Sequence, residues 1–229
     1  MKSLIEYINE SNNIELISDG KEHGFEYVDL GLPSGTMWAT CNVGATKPED
    51  EGLLFQFGHV DGYKYNDNNN KFITNSQRTT SGKVYKKNDI LDLEDDAAHA
   101  NMGGKWRMPT GSYTSSTDKF DGDWGELLNN TTHEAVTVNG VQGILFTSKV
   151  SGYEDKRLFI PFMRGCWYMW NNGEWQDWSR SYASVWSSQV NNYDAHYAYR
   201  LYCNSRGKVY IDGNHSRAYA LAVRGVFKK

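Results

Sequence analysis

Apolar and polar residues alternate through "EYVDLGLPSGTMWATCNVG", and Gly31, Pro33-Ser34-Gly35 and Gly44 punctuate the alternation. Period-two alternation broken by Gly and Pro predicts a hairpin, with one strand around Glu26–Leu30 and a second around Met37–Asn42. "GLLFQFGH" predicts a further strand. The stretch from Asp61 to Asp89 is polar, rich in Asn and poor in apolar anchors, so a long surface loop with one or two short strands is expected. "LEDDAAHANMG" predicts a helix with acidic residues at its start and Gly103-Gly104 at its end. In "WRMPT", Pro109-Thr110 would normally open a helix with Thr110 as N-cap. Here "GSYTSSTDKFDGD" intervenes as an inserted loop, and "WGELLNNT" then places Trp124, Leu127 and Leu128 on one helical face.

After Thr131 the pattern is strand-like throughout. "EAVTVNGVQGILFTSK" predicts a hairpin, because Asn-Gly favours the tight turn that joins paired strands. "RLFIPFMRGCWYMWNNGEWQDW" predicts a strand and an Asn172-Gly173 turn, and "YASVWSS", "HYAYRLYCN", "KVYIDG" and "LAVRGVF" predict further short strands. Helices early and strands late give an α+β domain, with two short helices, a mostly antiparallel sheet core and many loops. Leu4, Ile5 and Ile8 give the first residues one apolar helical face. Residues 1–24 are therefore read as a helical appendage, either a frayed terminus or a docking peptide, and 25–229 as the domain.

In the tail, alternation assigns sides. Tyr199, Leu201 and Cys203 share one face of a strand, and Arg200, Tyr202 and Asn204 the other. Ser205-Arg206-Gly207-Lys208 reads as a turn. On the returning strand Val209 and Ile211 point inward, and Tyr210 and Asp212 outward. A one-residue slip would bury the charges, which constrains the register. Leu221 and Val223 are expected to join the inward residues.

Composition makes that outward face unusual. Gln189–Tyr219 holds one Lys and no Glu, while Tyr, Asn, His and Asp supply fourteen of its 31 residues. Tyrosine offers large rigid contact area at low entropic cost, and small polar side chains adapt to a partner. The formal net charge of −4 excludes a basic nucleic-acid footprint. No apolar run reaches the roughly 18 residues of a membrane span, and "MKSLIEYINES" lacks the apolar stretch of a signal peptide, so synthesis in the cytoplasm is expected.

"YVDLGLPSGTMWATCNVGA", "PEDEG", "LEDDAAHANMGGKWRMPT", "WGELLNN", "VWSS" and "YALAVRG" occur in that order. This series resembles a large family of paralogous domains of gut bacteria and their phages, related to the formylglycine-generating-enzyme fold and so to the C-type lectin fold. The likeness covers about residues 25–226. "WRMPT" resembles the Trp-Arg-Leu-Pro-Thr start of that fold's second helix. "YALAVRG" resembles its closing Gly-Phe-Ser-Val-Arg-Pro strand, with Ala220 and Gly225 standing in place of Gly and Pro. Many members look like variable proteins of diversity-generating retroelements, whose last ~40 residues are rewritten at adenines. First-base changes in an Asn codon give Asn, Tyr, His or Asp, the four types abundant here. The resemblance maps the variable region onto about Trp186 to Arg224, with "VWSS" and "LAVRG" as fixed scaffold. The opening residues also resemble leaders of structural proteins in tailed phages.

The resemblance implies a ligand-binding protein of C-type-lectin-like fold, displayed on a virion for attachment to a host cell-surface protein or glycan. Arg200, Tyr202, Asn204, Tyr210 and Asp212 would form the flat centre of its face. Asn191, Asn192, Tyr193, Asp194, His196, Asn214, His215, Arg217 and Tyr219 would form the loops around it. Other virion proteins could bind through the N-terminal helix, and an oligomer fits such display. A structural decoration or assembly protein of the virion is the alternative function, and a cytoplasmic location is the alternative to the virion surface. An enzyme ranks last. Cys41, Cys166 and Cys203 lack the paired spacing of the related oxidases and read as reduced thiols. The six His show no paired spacing, Ser187-Ser188 lacks a nucleophile elbow, and no cofactor or metal is expected. Asp92, Glu94, Asp95 and Asp96 read as a helix N-terminus sooner than a Ca²⁺ site. Trp167, Trp170, Trp175 and Trp178 belong either to the core or to the rim of the face.

Overall fold

The computed structural model describes residues 14–64, 79–114, 119–163 and 181–229. It is an α+β molecule, mostly strand. Its elements are β1 (Gly20–Glu22), β2 (Phe25–Val28), β3 (Thr36–Asn42), β4 (Leu54–Gln56), a 3-10 turn (Leu93–Asp95), α1 (Ala97–Met102), β5 (Ser112–Thr114), β6 (Lys119–Asp121), α2 (Gly122–Asn130), β7 (Thr131–Val138), β8 (Val141–Ser148), β9 (Arg157–Pro161), β10 (Tyr182–Val190), β11 (Tyr197–Asn204), β12 (Val209–Ser216), β13 (Ala220–Ala222) and β14 (Arg224–Lys228). The strands form sheets in the orders β1-β2-β3-β14, β12-β11-β10-β13-β4 and β7-β8-β9, with β5-β6 a separate hairpin. Among the described residues all strand pairings are antiparallel except β10 with β13.

The expected β7–β8 hairpin forms around Asn139-Gly140, whose φ values of 48° and 81° lie in the left-handed region that Asn and Gly tolerate. The "WRMPT" cap also forms, but across an insertion. The Thr110 hydroxyl accepts from Asp123 N–H at 3.2 Å, and the Thr110 carbonyl accepts from Trp124 N–H at 3.1 Å. Thr110 thus serves the start of α2, although β5 and β6 lie between them in sequence. The expected inserted loop is that two-stranded hairpin.

The N-terminal boundary lies earlier than expected. β1 pairs with β2, and Ile14 and Leu16 pack against Val138, Leu145 and Phe159. Apolar side chains this close to the start are part of the domain, so it begins before Phe25. The expected helix at Leu4–Ile8 lies outside the described residues.

Besides that small cluster, two larger apolar cores are formed among the described residues. One gathers Trp38, Trp124, Leu127, Ile144, Phe146, Leu158, Val185, Leu201 and Ile211. The other gathers Met37, Phe55, Phe57, Tyr85, Ala98, Met102, Trp106, Trp186, Leu221, Val223 and Phe227. The sheet β12-β11-β10-β13-β4 contributes to both. At Gly225 an added Cβ would come within 2.7 Å of the Met102 sulfur and 2.9 Å of the Trp106 ring. Trp106 packs here because Gly225 has no side chain.

Candidate ligand-binding face

β10, β11 and β12 are rich in Tyr, Val and other residues that suit a pleated, half-buried surface. Their register sets Arg200 opposite Asp212, Leu201 opposite Ile211 and Tyr202 opposite Tyr210. On the other side of β11, Ser184 lies opposite Tyr202 and Trp186 opposite Arg200. Leu201, Cys203 and Ile211 are buried in the first core, and Val209 packs against it half-buried. Arg200, Tyr202, Asn204, Tyr210 and Asp212 take the opposite side and are each partly accessible. Leu221 and Val223 are buried as well, but in the second core. The platform is therefore gripped from both sides.

The outward tyrosines form a row across three strands. The rings of Tyr182 and Tyr202 lie 5.4 Å apart, and those of Tyr202 and Tyr210 lie 5.0 Å apart. Cross-strand aromatic pairs of this kind stabilise a sheet by roughly 0.2–1 kcal/mol each. The Arg200 guanidinium sits 5.1 Å from the Tyr202 ring, and the Lys208 ammonium 4.8 Å from the Tyr210 ring. Burial pushes the Tyr210 phenol up, and the Asp212 carboxylate adds to this. Tyr210 is therefore a neutral hydrogen-bonding hydroxyl at physiological pH.

The charged groups of the face are largely committed to one another. Arg200 donates from Nε and Nη2 to Asp212 Oδ2 at 3.2 and 2.9 Å, and from Nη1 to Ser184 Oγ at 2.7 Å. Asp212 Oδ1 accepts from Asn214 N–H. Asn204 Oδ1 accepts from the N–H groups of Arg206 and Lys208, which closes the turn. Arg200, Asp212 and Asn204 thus hold the tyrosine row in place.

Among the expected loop residues, Tyr193, Asp194, His196 and Asn214 are exposed. Asp194 accepts from His196 N–H and pairs with its ring Nδ1 at 2.8 Å. Asn192 is half-buried and its Oδ1 accepts from the Tyr199 hydroxyl at 2.7 Å. Tyr219 is half-buried, with its ring 4.7 Å from that of His215.

Three expected contact residues are buried instead: Asn191, His215 and Arg217. Asn191 ties its loop to β12. Its amide donates to Gly213 O and its Oδ1 accepts from the N–H groups of Tyr193 and Asp194. His215 belongs to β12, which runs on past the expected end at Gly213, and its ring lies 5.7 Å from that of Trp186. Arg217 donates to Ala195 O and stacks 5.0 Å over the Phe57 ring. All three are engaged within the protein beside the face.

Tyr182 and Ser184 belong to the face but precede the expected boundary at Trp186. The signal was present, since counting back by twos from Trp186 reaches both. Lys208, treated as a turn residue, also joins the face by stacking on Tyr210. Trp186, Ser187 and Ser188 are buried. The Trp186 ring N–H donates to Phe55 O, and the two hydroxyls donate to Gly111 O and Pro109 O.

The remaining chemical candidates are occupied or lie elsewhere. Asp95 accepts from Thr79, Ser81 and Tyr85. Asp96 caps α1 through His99 N–H and also accepts from Met108 N–H. Both carboxylates are consumed by protein donors, and no group of three or more His, Cys, Asp or Glu that could hold a metal occurs among the described residues. Cys203 is buried and burial pushes its thiol up; Cys41 is half-buried. Cys166 and the tryptophans at 167, 170, 175 and 178 lie outside the described residues. No described helix is long and apolar enough to cross a membrane. No protein-family model, curated protein or solved structure matches the chain.

The buried imidazole gives the face a pH dependence. Burial, reinforced by Arg200, holds the His215 ring well below its ordinary 6.5. A folded pKa below the unfolded one means the unfolded state binds the proton more readily. The stabilisation is complete above 6.5 and is lost as pH falls below it. Thermal melts from pH 7.5 down to about 5 are expected to show a falling Tm, with a smaller fall in His215→Phe.

Proposed function

We propose that the protein is a ligand-binding protein of C-type-lectin-like fold, carried on a phage virion. On this reading, the outer side of β10–β12 and the loop 191–197 attach it to a host cell surface. The observation that carries the reading is the tyrosine row. Tyr182, Tyr202 and Tyr210 lie side by side on an accessible sheet face whose reverse is packed into a core. An ordinary solvated strand face would carry Lys and Glu there. Aromatic side chains on a rigid platform are the type that dominates binding energy.

Two further features support the fold assignment. "WRMPT" meets the start of α2 through Thr110, and "LAVRG" runs through the closing strands β13 and β14. Residues that brace the face, such as Arg200 and Asn191, bond to backbone or to each other. Exposed neighbours such as Tyr193 and Asn214 can then change at a stability cost within about 0.5 kcal/mol.

The reading is tested with fluorescently labelled protein and a panel of intact gut-bacterial cells. Saturable binding to some isolates, displaced by unlabelled protein, is expected. Absence of saturable binding across the panel would count against an attachment role.

A further inference from the structure

Among the described residues, seven large hydrophobic side chains are exposed, and five of them, Val84, Ile90, Leu93, Tyr193 and Tyr197, fall in two short segments. The segments adjoin. Asn88 N–H donates to Asn191 O at 3.2 Å, Val190 N–H to Asp89 O at 2.8 Å, and Leu91 N–H to Ser188 O at 2.9 Å. Ile90 bridges Gln189, and the Gln189 amide donates to Asn88 Oδ1 at 2.9 Å. The segment holding Val84 and Ile90 is also anchored from within, because the Tyr85 hydroxyl donates to Asp95 and accepts from Asp92 N–H. A fixed aliphatic segment thus runs beside the exposed tyrosine loop.

We propose that this seam is a docking edge for a protein ligand beside the tyrosine row, with Ile90 and Val84 supplying contacts from outside the C-terminal region. The inference rests on the binding reading above and names its ligand class. Ile90 is 49% exposed, Val84 58% and Tyr193 64%. Aliphatic side chains make no hydrogen bonds, so covering them is favourable only against apolar partner surface. A folded protein offers such surface ringed by polar groups; a glycan offers mostly hydroxyls. The tyrosine row is poorly placed for stacking a sugar. Tyr202 is already flanked by the Tyr182 and Tyr210 rings and by Arg200, and Tyr210 by Lys208. Lys86, Lys87, Asp89 and Asp92 on the same segment add charges of both signs, which suits the polar rim of a protein interface.

The test uses a cell isolate to which the labelled protein binds, with cells pretreated by proteinase K or by periodate. Binding is expected to be lost after proteinase K and retained after periodate. Ile90→Lys is expected to weaken binding at least about tenfold at unchanged Tm, as placing a charge on a covered apolar contact would. If Ile90→Lys lowers the Tm, Val84→Lys carries the same expectation. Binding that survives proteinase K and is lost to periodate would overturn the inference, as would unchanged affinity in the folded lysine variant. Either result leaves the attachment reading standing. A protein that binds no isolate at all overturns both.

Discussion

Asp123→Ala is expected to lose about 3–5 kcal/mol of folding stability, the usual cost of breaking a buried ion pair from one side. Asp123 sits at the start of α2, 7% exposed. Its two oxygens accept from Arg107 Nη1 and Nη2 at 2.7 and 3.0 Å. They also accept from Thr110 N–H and hydroxyl, both at 2.8 Å, and from the Thr36 hydroxyl at 3.3 Å. Removing the carboxylate strands the guanidinium and frees the joint between "WRMPT" and the helix. Against a typical total of about 5–15 kcal/mol, that loss is large. Asp123→Asn is expected to be nearly as damaging. Either amide orientation turns an NH₂ group toward Arg107, whose nitrogens can only donate. Urea melts of the three proteins check this, and a loss under about 1 kcal/mol in the Ala variant would show that the joint is not a keystone.

The same site has an acid signature. Burial would raise the Asp123 carboxyl, but Arg107 and Thr110 outweigh it and hold the group below the ordinary 3.8. Its contribution is therefore complete above 3.8 and is lost as pH falls through the lower folded value. Its onset lies below that of His215, so a pH series on the Asp123 and His215 variants separates the two.

How far the sequence could be read depended on whether the alternation kept its phase. From Tyr199 to Asp212 it did, and the sides assigned to Leu201, Tyr202, Tyr210 and Ile211 agree with the structure. Beyond Asp212 it failed. The β11–β12 register shifts between Ala198 and Arg200, so that Ala198 faces His215 while Arg200 faces Asp212. Three steps on β12 match two on β11, and such a bulge changes the side of every later residue. His215 consequently falls on the side of Asp212 and beneath the second core, where period-two counting could not place it. Asn191 and Arg217 are missed for another reason. Polar side chains that bond to backbone carbonyls and amides inside loops have the same composition as those that face a ligand. The long reach of Thr110 to α2 was half legible: the cap residue was identifiable, the hairpin inserted between cap and helix was not. The second core was not legible either, because nothing local marks Leu221 and Val223 as facing away from Leu201.

The tyrosine row is expected to carry the largest functional effect. Tyr202 and Tyr210 occupy the middle of the face with their neighbours held by Arg200, Asp212 and Ser184. Both are partly accessible, so truncating them removes contact area without opening either apolar core. Loss of two central aromatic contacts, at about 2 kcal/mol each, corresponds to a fall in affinity of several hundredfold or more. The cross-strand pairing energy lost is about 1 kcal/mol in all, too little to unfold the sheet. The decisive measurement is equilibrium binding of Tyr202→Ala/Tyr210→Ala to a cell isolate that the unaltered protein binds, alongside a thermal melt. A cooperative melt within a few degrees of the parent is expected, with binding reduced at least about a hundredfold. A folded double variant that binds as tightly as the parent would contradict it.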